Sequence, residues 1–238
     1  IYLGWLKSTG NFSDLNKMDA SLRRYGLFFD GQERISNLSL SYFMKTISFP
    51  VGYRTEYLTQ FLDCLAKQNL AGYEIHCSAE NHPGCIDILK TCGLPINILY
   101  KENSTGTRSH EGARRNMYNV LSHVFKIGSD FNVHLEDDYL LAPDAIDLAN
   151  WYHDTFKNKP LTYMSYGLFN HESRGEDYQG LETITVFEGL GWCTFKVNWD
   201  SCFSKNWYDD SLARKHFQSY GWDWAMMGAY KEFGLKGI

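Results

Sequence analysis

The sequence has no apolar run long enough to span a membrane, and no signal peptide opens it. No internal repeat or low-complexity tract divides it. It also lacks a basic surplus. The formal net charge is -5, which argues against binding to a nucleic-acid backbone. A nucleoside diphosphate remains admissible in an acidic protein when a bound metal supplies the positive charge. There is no CxxC pair and no Cys/His cluster at zinc spacing. The six cysteines, Cys64, Cys77, Cys85, Cys92, Cys193 and Cys202, fall largely in apolar stretches and read as buried free thiols. Free thiols suit a reducing compartment, so the cytoplasm is expected, with the Golgi lumen the alternative for a eukaryotic chain whose anchor has been removed. Three N-x-[ST] sequons, at Asn11, Asn37 and Asn103, are near what chance gives in an Asn-rich chain. The first residue is Ile1 rather than Met, so a piece of a longer protein is expected.

What is present is an α/β rhythm. Residues 1–42 show no sustained period and read as an N-terminal extension or the tail of a preceding module, with the main domain at 43–238. From Met44 the pattern is regular. MKTISFP predicts a buried strand, and RTEYLTQFLDCLAKQ predicts a helix with Tyr57, Leu58, Phe61, Leu62 and Leu65 at helical spacing. YEIHCSA, INILYK and FNVHLE read as further strands. Pro83 to Cys92, HEGARRNMYNVLSHVFKIG and APDAIDLANWYHDTF read as helices, with Pro83, Pro143 and Asp144 in first turns. Alternation of this kind gives a mostly parallel sheet flanked by helices. After Pro160 the rhythm changes. LTYMSYGL and ETITVFEG read as strands around an acidic loop, and WCTFKVNWDSCFSKNW and GWDWAMMGAYKEFG as aromatic, helical segments.

The strongest chemical feature is HLEDDYLLAP, a hydrophobic strand running into Glu136, Asp137 and Asp138. Ligands of open α/β sheets bind beyond the carboxyl ends of strands. Adjacent carboxylates concentrate charge that a cation relieves, and hard oxygen ligands suit Mn2+ or Mg2+. A solvated acidic loop is the plainer reading of the same residues. The aromatic content, 16%, fits a sugar-binding cleft as well as a well-filled core.

Pro50-Val51, Tyr53-Arg54, Glu56-Tyr57-Leu58 and Glu80 stand in the order found in the opening of the large inverting GT-A glycosyltransferase family, which this stretch resembles. The resemblance implies that Pro50, Tyr53, Arg54 and Glu80 meet the nucleotide donor, although Ser78-Ala79-Glu80 replaces the family's paired aspartates. GARRNMYNVL is similar to that family's Gly-x-x-Arg-Asn helix, which puts Arg115 beside the donor; Arg108 and Arg114 are further phosphate candidates, and a surface arginine is the plainer reading. Glu136-Asp137-Asp138, Ala142-Pro143-Asp144 and Gly189-Leu190-Gly191-Trp192 look like motifs of the Golgi N-acetylglucosaminyltransferases that start complex N-glycan branches. That likeness implies that Asp138 holds the metal, that Glu136 and Asp137 meet the sugar nucleotide, and that Gly191 and Trp192 border donor sugar and acceptor; core packing is the alternative for Trp192. Both groups imply a carboxylate base at the start of a C-terminal helix, where Asp223 stands, with Asp209-Asp210 the rival.

The resemblances cover about Met44 to Gly234. They imply a GT-A, Rossmann-like sheet with a mixed, acceptor-side C-terminal part. The implied activity is metal-dependent inverting transfer from a nucleoside-diphosphate sugar, UDP by preference, to a hydroxyl of a glycan acceptor. Two other classes compete: a metal-dependent nucleotidyltransferase, and a non-catalytic sugar-binding module of a larger polysaccharide-synthesising protein. A nucleotidyltransferase would carry a Gly-rich phosphate loop after its first strand, where FPVGYRTEY has one glycine.

Overall fold

The computed structural model describes residues 43–100, 110–168 and 183–238. The expected extension at 1–42, the three sequons, Arg108 and the polar loops around 102–109 and 171–180 lie outside the described residues. The described chain runs β1 (Lys45–Val51), α1 (Thr55–Leu65), β2 (Tyr73–Ala79), α2 (Pro83–Thr91), β3 (Ile96–Tyr100), α3 (His110–Lys126), β4 (Phe131–His134), α4 (Ala145–Phe156), β5 (Tyr166–Gly167) and β6 (Trp192–Phe195). A helical stretch follows, with a π-helical turn (Trp199–Phe203) between Lys196–Asn198 and Ser204–Asn206, and then α5 (Asp210–Phe217) and α6 (Trp222–Phe233). No helix among the described residues is long and apolar enough to cross a membrane.

The six strands form one sheet in the order β3-β2-β1-β4-β6-β5. β1 pairs in parallel with both β2 and β4, and β2 with β3, whereas β6 is antiparallel to β4 and to β5. Strand order reverses between β1 and β4, which is the switch point where open α/β sheets bind ligands. β1 is buried from Thr46 to Val51, because apolar layers cover both faces. On one side Ile47, Phe49 and Val51 pack with Leu58, Phe61 and Leu65 of α1 and Ile146 and Ala149 of α4. A second cluster gathers Met117, Leu121 and Phe125 of α3 around Trp192, Trp199, Phe203, Trp207 and Met226. Between β1 and β4 runs a buried polar ladder: Thr46 donates to Asn132 at 2.8 Å, Asn132 to Ser48 at 2.9 Å, and Ser48 meets His134 Nδ1 at 3.1 Å. These bonds fix the register, since a one-residue slip would turn each polar group into the apolar layer.

The C-terminal part departs from expectation. Trp192–Phe195, expected to be helical, is a central strand; the helix starts only at Lys196. LTYMSYGL contributes just Tyr166–Gly167. No strand forms across residues 183–191, where Ile184 makes one bridge to Gly237. Pro143 and Asp144 lie ahead of α4 rather than within its first turn. α5 and α6 pack closely because Gly228 has no side chain: a Cβ there would stand 2.7 Å from the Leu212 backbone. All six cysteines are free, and Cys77, Cys85, Cys193 and Cys202 are buried.

Candidate functional site

The carboxyl ends of β1 and β4 meet through charge. Pro50-Val51 ends β1, and the loop beyond it crosses to the acidic triplet: the Gly52 amide donates to Asp137 Oδ2 at 3.0 Å. Arg54, just before α1, spans both aspartates, with Nη2 2.6 Å from Asp137 Oδ1 and Nη1 2.5 Å from Asp138 Oδ2. Burial opposes the Arg54 charge, but Asp137 and Asp138 outweigh it and raise its pKa. Asp137 is buried, and burial pushes its carboxyl up against the downward pull of the Gly52 amide and Arg54. Asp138 Oδ1 is buried without a hydrogen-bond partner among the described residues. Leaving a buried carboxylate oxygen unsatisfied is costly, and a cation is one group that could satisfy this atom.

Among the described residues no group of three or more His, Cys, Asp and Glu side chains forms a complete metal cage. That composition still fits Mg2+ or Mn2+, which are commonly held by one or two carboxylates and complete their shells with water and substrate phosphates. Asp138 Oδ1 is the ligand the structure offers, with Asp137 beside it. Burial lowers His134 beneath the triplet to about 3, so its ring is neutral and serves the ladder with Ser48.

Glu136 brings in the tyrosine that directly follows the triplet. Tyr139 donates to Glu136 Oε1 at 2.8 Å, and the Gly191 amide reaches the same hydroxyl. Gly191 has φ +66°, a conformation that favours glycine, and it lies against the Tyr139 ring, which a Cβ there would touch at an ordinary 3.6 Å. Tyr139 thus joins the EDD triplet to the GLGW segment. At the other end of that segment Gly189 lies against Trp222, whose Cη2 a Cβ would meet at 3.0 Å, and Trp222 precedes Asp223 in the first turn of α6. Three separate motifs are therefore linked by contact.

Burial pushes the Glu136 carboxyl up to about 7 from its ordinary 4.5, more than the Tyr139 bond pulls it down. Folding takes up a proton here between those values. Stability from this group is full below pH 4.5, falls as pH rises towards about 7, and is level above that. Glu136→Gln is therefore expected to raise the urea midpoint above pH 7 and not below pH 4.5, measured with a chelator present. Equal effects at both pH values would contradict the assignment.

The remaining candidates separate cleanly. Asn116 of α3 accepts a short hydrogen bond from Ser78 of β2 and donates to the Val51 carbonyl of β1 at 3.4 Å, tying the ends of both strands. Glu80 follows β2, and its amide bonds the Val51 carbonyl at 2.9 Å. Tyr53 is 39% exposed on the β1 loop. Arg115 projects outward, 60% exposed, within 3.6 Å of Glu111. Arg114 is buried and committed to the Trp207 carbonyl and Asp210, so it is not a phosphate ligand. Asp209 caps α5 through the Ser211 and Leu212 amides, which leaves both rivals of Asp223 in structural roles. The Trp192 side chain is fully buried against Phe187, Phe203 and His134, so it supports the site from within the core.

No family model matches the chain, and no curated protein matches its sequence. Solved structures do match in fold. A stretch of TarS from S. aureus, residues 1–349, aligns with 79% of this chain and 55% of its own at 13% identity, with a TM-score of 0.52. The mannosyltransferase PcManGT from Pyrobaculum calidifontis, solved with GDP-Man and Mn2+, aligns with 94% of this chain and 61% of its own at 14% identity and a TM-score of 0.49. The glycosyltransferase GlyE of Streptococcus pneumoniae TIGR4 aligns with 82% of this chain and 44% of its own at 12% identity and a TM-score of 0.48. This chain spans less than two thirds of each of those chains. At such identities the likeness is one of architecture: the six-stranded, mostly parallel sheet flanked by helices is the GT-A type of α/β fold.

Proposed function

We propose that the chain is a metal-dependent glycosyltransferase acting with inversion, moving a sugar from a nucleoside-diphosphate donor to a hydroxyl of a glycan acceptor. The observation that carries this reading is the acidic triplet at the β1/β4 switch point of a GT-A type sheet, with Asp138 Oδ1 buried and unpartnered. A UDP-sugar is the donor we favour, on the likeness of the triplet and of GLGW to N-acetylglucosaminyltransferase motifs. Asp138 would hold Mn2+ or Mg2+, which when bound offsets the charge of the departing diphosphate. The other roles fall to the protein. Pro50 at the end of β1 and the loop of Gly52, Tyr53 and Arg54 line the donor's side of the switch point, with Glu80 beside them. Arg115 is exposed and available to phosphate. Glu136 and Asp137 accept hydrogen bonds from sugar and ribose hydroxyls, and Gly191 with Tyr139 backs the sugar. Asp223, at a helix N-terminus where unpaired amides favour negative groups, accepts the acceptor hydroxyl's proton as that oxygen attacks the anomeric carbon.

A melting-temperature screen of UDP, GDP, CMP and TDP, each with and without Mn2+, tests this. One nucleoside diphosphate should stabilise the chain only with Mn2+. At 100 times its Kd the gain is about 2.7 kcal/mol, or roughly 5–10 °C for a domain of this size. Asp138→Ala should abolish it. Absence of any manganese-dependent shift would sink the reading.

A further inference from the structure

Arg54 does something more specific than pair with a carboxylate. Its two terminal nitrogens go to different residues, one to Asp137 and one to Asp138, so a single guanidinium bridges two carboxylates and offsets one of their two negative charges. Its side chain is 36% exposed while that of Asp137 is 4% exposed. The cation is therefore the movable member of the pair and the carboxylate the fixed one. The residue lies in the loop before α1, with no side-chain cap bond holding it to that helix, and its guanidinium lies 5.8 Å from the Tyr57 ring centre at the surface. Asp138 is divided: Oδ2 is taken by Arg54 and Oδ1 is buried and unpartnered. A divalent cation on Oδ1 would sit on the same carboxylate as the guanidinium, and two cations that close disfavour one another.

Building on the proposed function, we propose that Arg54 is an internal counter-cation that competes with the divalent metal for Asp137 and Asp138, and that the donor's diphosphate receives the guanidinium when the metal displaces it. Metal alone then binds weakly, because it must displace an ion pair that has nowhere better to go. Metal and diphosphate bind as a couple, since the phosphate oxygens accept the released fork that guanidinium matches well. Linkage makes the coupling reciprocal: whatever the nucleotide does for the metal, the metal does for the nucleotide.

The test is titration of Mn2+ followed by the spin-resonance signal of the free ion, on the wild-type chain, Arg54→Ala, Arg54→Lys and Asp138→Ala, with melting temperatures confirming that each is folded. Without nucleotide, Arg54→Ala should bind Mn2+ at least about fivefold more tightly than wild type, the low end of ordinary coupling between sites. Arg54→Lys should also bind it more tightly, because an ammonium cannot span two carboxylates as the fork does. With UDP added, Arg54→Ala should lose that advantage. Mn2+ binding to Arg54→Ala that equals or falls below wild type would overturn the proposal. So would tightening confined to Arg54→Ala with Arg54→Lys unchanged, since bulk charge then explains it. Should Arg54→Ala fail to fold, the lysine variant decides alone. Manganese binding that survives Asp138→Ala removes the proposed function itself, whereas Asp138-dependent binding without an Arg54 effect removes only this inference.

Discussion

Asp223→Asn is expected to lower turnover by about 10²–10⁴-fold, the range ascribed to a positioned general base, while leaving donor binding and melting temperature as they were. The substitution keeps the shape of the side chain and removes its ability to take a proton. Among the described residues the packing here rests on the neighbouring Trp222, which stacks on Trp207 with ring centres 4.8 Å apart and lies against Gly189. The rival carboxylates predict the opposite pattern. Asp209→Ala removes the cap of α5 and Asp210→Ala takes away the carboxylate that pairs with the buried Arg114, so each should lower the melting temperature and spare turnover. The measurement is release of nucleoside diphosphate with and without an acceptor, beside Mn2+-dependent donor binding. Full turnover in Asp223→Asn would remove the base from Asp223 and leave the rest of the site standing. Loss of donor binding in the same variant would place Asp223 in the donor site.

The four parallel strands were legible as short runs set between helical stretches, and in β1 and β4 the apolar Ile47, Phe49, Val51, Phe131 and Val133 alternate with Thr46, Ser48, Asn132 and His134, the polar residues of the ladder. The triplet was legible for a related reason, since three carboxylates directly after such a run have no place in a core. The C-terminal part obeyed neither rule. The apolar alternation of ETITVFEG finds no partner strand beyond one bridge, and Trp192–Phe195 becomes a strand because β4 and β5 flank it. Pairing decided both cases, as β-propensity reflects neighbours more than the residue. Within the site, the position of Arg54 was readable by resemblance, but its two partners lie 83 and 84 residues away and no local pattern reports them. Tyr139 lies within HLEDDYLLAP, but nothing in that run reports its link to Gly191. Arg114 did have a signal. It stands three residues before Met117 and seven before Leu121, both buried, so it lies on the inward stripe of α3, and Arg115 is one step of about 100° around the helix.

That placement gives the second large effect, on stability rather than chemistry. Arg114→Met should cost about 1.5–4 kcal/mol, since Asp210 is 32% exposed and the loss falls on hydrogen bonds and ring contact rather than on a stranded buried charge. Arg114 Nε and Nη2 both donate to the Trp207 carbonyl, at 3.0 and 2.7 Å, and Nη1 donates to Asp210 at 2.9 Å. Methionine fills much of the volume, so the loss falls on the unpaired carbonyl, at about 1–3 kcal/mol, and on the cation that sat 4.7 Å from the Tyr208 ring centre, at about 0.5–1 kcal/mol. At 2–4 °C per kcal/mol the melting temperature should fall by roughly 10 °C. Arg115→Met is the contrast. Its ion pair with Glu111 is exposed and worth under about 1 kcal/mol, so stability should hold while the donor KM rises if the guanidinium meets phosphate. The two substitutions sit on one helix, one residue apart, and should divide between heat and kinetics. An unchanged melting temperature for Arg114→Met would mean that the Trp207 carbonyl finds another donor. α3 would then be held to the C-terminal helices by its apolar stripe alone, and Asn116, which ties β1 to β2 from that helix, would owe its position to packing rather than to the Arg114 network.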